Sequence, residues 1–169
     1  EYSHPRSGGI LAGKLKSEDH ILEVQMTDGD CGIVLLTREG RSIRFSESEI
    51  SVVGRASLGV KGSGLKSGDS VVSMLVVKRE GTVLCVAQDG SGKRISFGEF
   101  PLRKRGGSGI AVIDREGGLL VSAMEVVDGD RLSVITNDEK DHIINIEDVP
   151  IEKRSEGVRP LMDLSLIHI

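Results

Sequence analysis

The alternation of apolar and polar residues predicts a chain made of short β-strands. Apolar runs such as GIVLLT (32–37) and TVLCVAQ (82–88) are bounded by glycine-rich and acidic turns. In RSIRFS (41–46), apolar Ile43 and Phe45 alternate with polar residues, which is typical of a half-buried strand. No convincing helical period extends over more than about ten residues. The pattern therefore predicts an all-β fold.

The predicted strands fall into groups of three along the chain. Two strands of a group flank a tight turn such as REG (38–40) or DGSG (89–92), which predicts hairpins. The groups are, in order, HILEVQMT (20–27), GIVLLT and RSIRFS; SVVSMLVV (70–77), TVLCVAQ and KRISF (93–97); and LLVSAMEVV (119–127), RLSVIT (131–136) and HIINIE (142–147).

The groups belong to a longer repeat. A motif of Arg, a short spacer, Gly and a β-branched residue occurs as RSGGI, RASLGV, RGGSGI and RSEGV, with its glycines at Gly9, Gly59, Gly109 and Gly157. A period near 50 residues with three or four strands in each unit is typical of propeller-like blades. We predict units at about 6–54, 55–104 and 105–153, the start of a fourth from 154, and a non-native tail at 164–169, where LSLIHI leaves the pattern.

Composition and charge narrow the class of protein. Hydrophobic residues are 38% and charged residues 28% of the chain, but aromatic residues are only 2%, so Val, Ile and Leu must form the core. The formal net charge of −4 argues against a chain that is basic throughout, as dedicated nucleic-acid binders usually are. Acids are concentrated between 120 and 163, however, whereas cations cluster between Lys93 and Arg105. The sequence is therefore compatible with a basic face on an acidic body.

The cysteines and the lengths of the apolar runs indicate the compartment. Cys31 and Cys85 lie in apolar, strand-like runs, which predicts buried thiols rather than a disulfide or a metal site. We find no signal peptide, and no apolar run approaches the ~20 residues of a membrane span. A soluble, cytoplasmic protein without membrane contact is expected.

Familiar catalytic and ligand-binding motifs do not fit the chain. GSGKR (90–94) lacks the first glycine and the final hydroxyl of a P-loop, and a strand follows it. GGSGI (106–110) has its second glycine one residue too early for a nucleophile elbow. The histidines are dispersed without metal-ligand spacing, and the acids lie mostly in turns. No catalytic residue, metal site or cofactor is expected in this domain.

The repeated arginine has two interpretations. Equivalent positions of successive blades recur along one rim, so one cation per blade would form a positive track for a chain of phosphates. Alternatively, the motif is a structural linker whose arginine is a solvated rim charge. A protein-interaction propeller and a propeller enzyme are competing functions. The scarcity of Trp and Tyr argues against the first, and we find no cluster of acids, histidines or metal ligands for the second.

The order of these motifs resembles a known family. GRASLGVKG (54–62), GDSVVSM (68–74), QDGSGKRISFGEFP (88–101) and RGGSGI (105–110) are similar to the C-terminal domain of DNA gyrase A and to the related domain of the topoisomerase IV A subunit. The resemblance covers about 1–163. It implies a β-pinwheel, a propeller-like disc whose blades exchange strands with their neighbours. The family has about six blades, so the roughly three units here predict a partial disc and a fragment.

The resemblance also implies a function. The basic rim of such a domain wraps duplex DNA without sequence preference, which supports ATP-dependent negative supercoiling by the holoenzyme. The implied partners are double-stranded DNA, the rest of gyrase A, and gyrase B in an A2B2 heterotetramer, with ATP and Mg2+ used through other domains. RKRGGSG (103–109) is similar to the family's basic box but lies late and has Ser108 in place of Lys, so gyrase and topoisomerase IV both stay open. Matching positions assign DNA contact to Arg6, Arg41, Arg44, Arg55, Lys93, Arg94, Arg103, Lys104, Arg105, Lys153 and Arg154.

Overall fold

The computed structural model is built from short β-strands and single turns of 3-10 helix. It describes His4 and residues 7–78, 81–113, 118–135 and 141–161. The strands are β1 (Gly32–Thr37), β2 (Arg41–Ser46), β3 (Val71–Val77), β4 (Thr82–Ala87), β5 (Ser91–Ser96), β6 (Ile110–Ala111), β7 (Leu120–Val126), β8 (Arg131–Ile135), β9 (Asp141–Asn145), β10 (Ile151–Glu152) and β11 (Arg159–Pro160). The 3-10 turns that follow β2, β5 and β9 are Glu47–Glu49, Phe97–Glu99 and Ile146–Asp148.

These strands form three sheets, which we call blades. The first blade has the strand order β3-β1-β2-β6, and the second has the order β10-β5-β4-β7 with β11 also paired to β5. The third blade is the β8–β9 hairpin. The hairpin strands agree closely with the sequence prediction. In the two large blades a turn glycine, Gly40 or Gly90, marks where the hairpin reverses.

Successive repeat units exchange a strand. The β1–β2 hairpin of the first unit pairs antiparallel with β3 of the second unit, with Leu35 opposite Met74. The β4–β5 hairpin of the second unit pairs in the same way with β7 of the third, with Cys85 opposite Ala123. Each large blade therefore combines one unit's hairpin with the next unit's strand, which is the exchange expected of a β-pinwheel. Short strands complete the opposite edge, β6 in the first blade and β10 and β11 in the second.

The predicted strand at 20–27 is wrong. The structure assigns no strand there, and Val24 and Met26 are 81% and 83% exposed. The equivalent strands β3 and β7 each pair with the hairpin of the preceding unit. The described residues include no hairpin before 20–27, so the backbone of this segment lacks the partner that would make it a strand.

The main hydrophobic core lies between the two large blades. The inner strands β3 and β7 pack together, and the backbone N–H of Ala123 donates to the Ser73 hydroxyl at 2.8 Å. The buried side chains of this cluster are Val34, Leu36, Leu75, Val83, Cys85, Ile95, Phe97, Phe100, Val112, Ile113, Leu120 and Ala123. Apart from Phe97 and Phe100, it is built from aliphatic residues, Ala and Cys, as the composition predicts.

Both cysteines are buried and free, as predicted from their apolar surroundings. Cys85 is fully enclosed, and burial raises the pKa of its thiol to about 12. The Cys31 thiol donates a hydrogen bond to Asp28 Oδ1 at 3.0 Å, which raises the pKa of Cys31. Both thiols therefore stay protonated near neutral pH.

Candidate nucleic-acid interface

The glycine-containing linkers of successive units lie side by side. We call the segments 7–14, 54–64, 103–112 and 153–160 the linker ribbon. The backbone N–H of Lys14 donates to Ser57 O at 3.2 Å, which joins the first segment to the second. Gly64 N–H donates to Gly107 O at 2.7 Å, which joins the second segment to the third. Arg154 Nη1 donates to Ala111 O at 2.8 Å, which joins the fourth segment to the third. Neighbouring linkers thus form one continuous surface.

The linker ribbon follows the edge of each large blade that is farthest from the inner strands. In the first blade, β3 stands at one end of the strand order and β2–β6 at the other, and β3 contacts β7 of the second blade. The third linker segment runs along β2, where Arg103 N–H donates to Arg44 O at 2.7 Å and β6 pairs with Arg41 and Ser42. The fourth segment lies along β5, which pairs with β10 just before this segment and with β11 at its end. These two segments of the ribbon are therefore peripheral.

The linker turn depends on its glycine. Gly9, Gly59 and Gly109 have φ values of +77°, +77° and +66°, in the left-handed region that favours glycine. At Gly109 a Cβ atom would lie 2.3 Å from the carbonyl oxygen of Ser42. Three of the four repeat glycines therefore provide a positive φ and, at Gly109, close backbone approach, whereas Gly157 does not have a positive φ.

The arginine of the third linker segment is a structural clamp. The Arg105 backbone N–H donates to Glu49 Oε2 at 3.0 Å, and its Nε donates to Glu49 O at 3.0 Å. Its Nη1 donates to Lys61 O at 2.5 Å, on the neighbouring linker segment. One arginine thus joins the 3-10 turn after β2, its own linker and the preceding linker.

A clamp with two of these three contacts recurs one unit later. The Arg154 backbone N–H donates to Glu99 Oε2 at 3.1 Å, and its Nη1 donates to Ala111 O at 2.8 Å. Glu99 and Ala111 stand one repeat after Glu49 and Lys61. We call the pairs Glu49–Arg105 and Glu99–Arg154 the linker clamps.

A second set of cations holds the linker turns from the hairpin side. Arg41 donates from Nε to Ser108 O and from Nη2 to Gly109 O, both at 2.8 Å. In the second blade Lys93 is only 2% exposed, and its Nζ donates to Arg154 O at 2.8 Å and to Glu156 O at 2.5 Å. Arg41 in the first blade and Lys93 in the second therefore both donate to carbonyl oxygens of a linker turn, although they do not stand at equivalent positions of the repeat.

A third set connects each hairpin to the 3-10 turn of the next blade. Arg44 Nη1 donates to Phe97 O at 3.2 Å. Arg94 is 4% exposed; its Nη1 donates to Ile146 O at 3.2 Å and its Nη2 pairs with Asp128 Oδ1 at 2.6 Å. These guanidinium groups supply donors to carbonyl oxygens between blades.

The predicted DNA-contact residues consequently fall into distinct environments. Lys93 and Arg94 are buried and bound to backbone or side-chain oxygens, so direct DNA contact by these two does not fit the structure. Arg41, Arg44, Arg55, Arg105 and Arg154 are half-buried. Arg6 lies outside the described residues. The exposed members, all on the linker ribbon, are Arg103, Lys104 and Lys153.

The linker ribbon carries three further exposed cations that were not among the predicted DNA-contact residues. Arg159 pairs through Nε with Glu152 Oε1 at 2.6 Å, and the other two are Lys14 and Lys61. Lys61 directly follows the repeated Gly-Val of RASLGV, so its place in the linker motif was a usable signal. With Lys14 and Lys61, every segment of the ribbon carries at least one exposed cation.

Another group of polar side chains meets where the chain enters β1. Ligand atoms of Asp28, Cys31 and Glu47 lie within 4.8 Å of one another. They are joined by hydrogen bonds: the Cys31 thiol donates to Asp28, and Glu47 Oε2 accepts from the Gly29 and Cys31 backbone N–H groups. This arrangement orders the turn before β1.

Similar sequences show to which protein family the chain belongs. The sequence matches the family described as DNA gyrase C-terminal domain, beta-propeller, over residues 33–78 and 81–126. The chain belongs to this family. It is 38% identical to the DNA gyrase A subunit of Buchnera aphidicola subsp. Baizongia pistaciae over 81% of its length, and 32% identical to that of Haemophilus influenzae over 100%. It spans 16% and 23% of these two relatives.

Solved structures agree with this family. The C-terminal domain of DNA topoisomerase IV matches 92% of the chain with a TM-score of 0.84 and 27% identity, and the chain covers 50% of that structure. A DNA gyrase A C-terminal domain matches 93% with a TM-score of 0.83 and 24% identity, and the chain covers 55% of it. The β-pinwheel prediction is confirmed. No helix in the described part of this gyrase-family chain is long and apolar enough to cross a membrane.

Proposed function

We propose that this gyrase-family domain binds duplex DNA along the linker ribbon, without sequence preference. The observation that carries the proposal is the hydrogen bonding between neighbouring linkers, each of which presents an exposed lysine or arginine side chain. Cations on a continuous ribbon can follow successive phosphates of one duplex, and phosphate contacts carry no sequence information. The net charge of −4 does not oppose this, because cations gather on the ribbon.

The peripheral position of the ribbon supports DNA wrapping. A duplex that follows the outer edge of a propeller-like disc must bend, and its phosphate contacts along that edge offset the bending energy. We propose that the wrapped segment supports ATP-dependent negative supercoiling by a bacterial, cytoplasmic gyrase. In that assembly the domain works with the rest of gyrase A and with gyrase B in an A2B2 heterotetramer, while ATP and Mg2+ act at other domains.

A topoisomerase IV protein is the second candidate. The fold match to the topoisomerase IV domain is as good as the match to the gyrase A domain, with TM-scores of 0.84 and 0.83. The two candidates differ in the reaction of the holoenzyme. A holoenzyme carrying this domain should introduce negative supercoils into relaxed plasmid with ATP if it is a gyrase. Relaxation or decatenation without supercoiling would favour topoisomerase IV.

A salt titration tests the interface. We expect binding to a random duplex of about 100 base pairs to fall linearly in log–log with salt between about 50 and 200 mM. The double variant Arg103→Ala/Lys104→Ala should bind more weakly, with a slope smaller by about 1.8, because two phosphate contacts are lost. Arg105 is left intact, since its replacement would also break a linker clamp.

The matched control removes two exposed cations away from the ribbon. Arg38 lies in the β1–β2 turn beside the start of β7, and Lys78 follows the inner strand β3. Arg38→Ala/Lys78→Ala changes net charge as much as the ribbon variant does. Equal loss in both variants would refute the ribbon as the interface. No binding at low salt by the folded domain would refute the function.

A further inference from the structure

We propose that the acids Glu49 and Glu99 are positioning residues for DNA binding, an inference that rests on the proposed function. An acid beside a polyanion site ordinarily weakens binding by repulsion. In this domain each of these two carboxylates is half-buried and holds the linker that bears the exposed cations. Its removal should therefore weaken DNA binding.

The two acids stand on a fixed element. Glu49 is the last residue of the 3-10 turn after β2, and Glu99 is the last residue of the equivalent turn after β5. Each turn is tied to its strand by a serine hydroxyl, because Ser46 Oγ accepts from Ser48 N–H and Ser96 Oγ accepts from Gly98 N–H. The carboxylates therefore project from the rigid part of each blade.

Each carboxylate binds the linker next to its exposed cations. The Glu49 carboxylate accepts from the Arg105 backbone N–H, directly after Arg103 and Lys104. The Glu99 carboxylate accepts from the Arg154 backbone N–H, directly after Lys153. A hydrogen bond to an ionised carboxylate is stronger than a neutral one, so each clamp limits the backbone freedom of the residues that would meet phosphate.

The same interaction occurs twice, one repeat apart, in linkers of different sequence. The two linkers read KRGG (104–107) and KRSE (153–156), yet the carboxylate-to-arginine N–H distances are 3.0 and 3.1 Å. The third unit has Asp148 at the end of its 3-10 turn, where Oδ2 accepts from Asn145 Nδ2 at 3.1 Å. Asp148 therefore stands at the position equivalent to Glu49 and Glu99, but its carboxylate accepts a hydrogen bond from the residue just before its own turn.

Three variants separate positioning from charge. Glu49→Ala/Glu99→Ala removes both the charge and the acceptor, whereas Glu49→Gln/Glu99→Gln removes the charge and keeps an acceptor oxygen. Asp148→Ala removes a nearby acid that does not hold a described linker. All three are compared with the parent domain in the duplex titration across salt.

We expect the alanine pair to weaken duplex binding about threefold to tenfold, because binding must then order a loosened linker. The glutamine pair should bind as tightly as the parent or tighter, and Asp148→Ala should bind no more weakly than the parent. If the alanine pair binds as well as the glutamine pair, the acids act through charge alone and the positioning role is refuted. The positioning role is also refuted if the weaker DNA binding of the alanine pair is fully explained by a larger fraction of unfolded protein.

Amide hydrogen exchange gives a readout that needs no DNA. The backbone amides of Arg105 and Arg154 should exchange faster in the alanine pair than in the parent, while β3 and β7 amides stay protected. Unchanged exchange would refute the clamp itself. If exchange quickens but the parent domain does not bind DNA, the clamp stands and the proposed function fails.

Discussion

Replacing Arg94 with alanine is expected to lower the free energy of unfolding by about 3 kcal/mol. Arg94 is 4% exposed and donates to Ile146 O in the next blade and to the Thr82 hydroxyl. Alanine leaves these oxygens without their donor and opens a cavity where the guanidinium and its stem pack. The pair with Asp128 adds little, because the Asp128 side chain is 74% exposed.

Urea unfolding followed by circular dichroism measures this loss. Arg103→Ala is the matched control, since Arg103 is exposed and alanine keeps the backbone N–H that donates to Arg44 O. We expect that control to stay within about 0.5 kcal/mol of the parent. A loss below about 1 kcal/mol for Arg94→Ala would show that the inter-blade contact is not an important part of stability. The folded variant should keep the parent's salt slope for DNA, because a buried arginine reaches no phosphate.

Gly109→Ala is expected to destabilise the domain by about 3 kcal/mol, and Gly59→Ala by only about 1 kcal/mol. Both glycines have positive φ, so both substitutions place Cβ in a strained left-handed conformation. At Gly109 the added Cβ would also lie 2.3 Å from Ser42 O and 2.9 Å from Ser42 C, whereas at Gly59 nothing lies within 4 Å. The linker would have to leave β2, which breaks the Arg41 hydrogen bonds to Ser108 O and Gly109 O.

Gly59 and Gly109 occupy the same position of the repeated motif, so Gly59→Ala is the matched control for Gly109→Ala. Equal losses at Gly59 and Gly109, measured by the same urea unfolding, would mean that only the backbone conformation matters. A larger loss at Gly109 would confirm close backbone approach of the linker to β2. The same variant should also weaken duplex binding, since the displaced linker bears Arg103 and Lys104.

The hairpins were predictable because their information is local. The alternation in RSIRFS and the turn glycine that precedes it, Gly40, fix β1 and β2 as a pair, and the structure has the predicted bounds for both. The strand at 20–27 fails for the opposite reason. Its apolar residues are those of a strand, but a strand needs hydrogen bonds from a distant hairpin, and its equivalents β3 and β7 obtain them from the preceding unit.

The role of the repeated cations could not be read from spacing. A periodic arginine gives the same signal whether it faces phosphate or a carbonyl oxygen of the next blade. Arg94 and Ile146 are 52 residues apart, and Lys93 and Glu156 are 63 apart, so their contact depends on how blades are stacked. Lys104 is exposed on the linker ribbon, whereas Lys93 is buried. This difference exists only in the folded domain.

The most direct test of the linker ribbon is to map backbone amide NMR shifts while a short duplex is titrated into the domain at low salt. We expect shifts to concentrate in the ribbon segments 7–14, 54–64, 103–112 and 153–160 and to be small on the inner strands β3 and β7. Shifts confined to the inner strands, or no shifts from a folded domain, would contradict DNA binding along the ribbon.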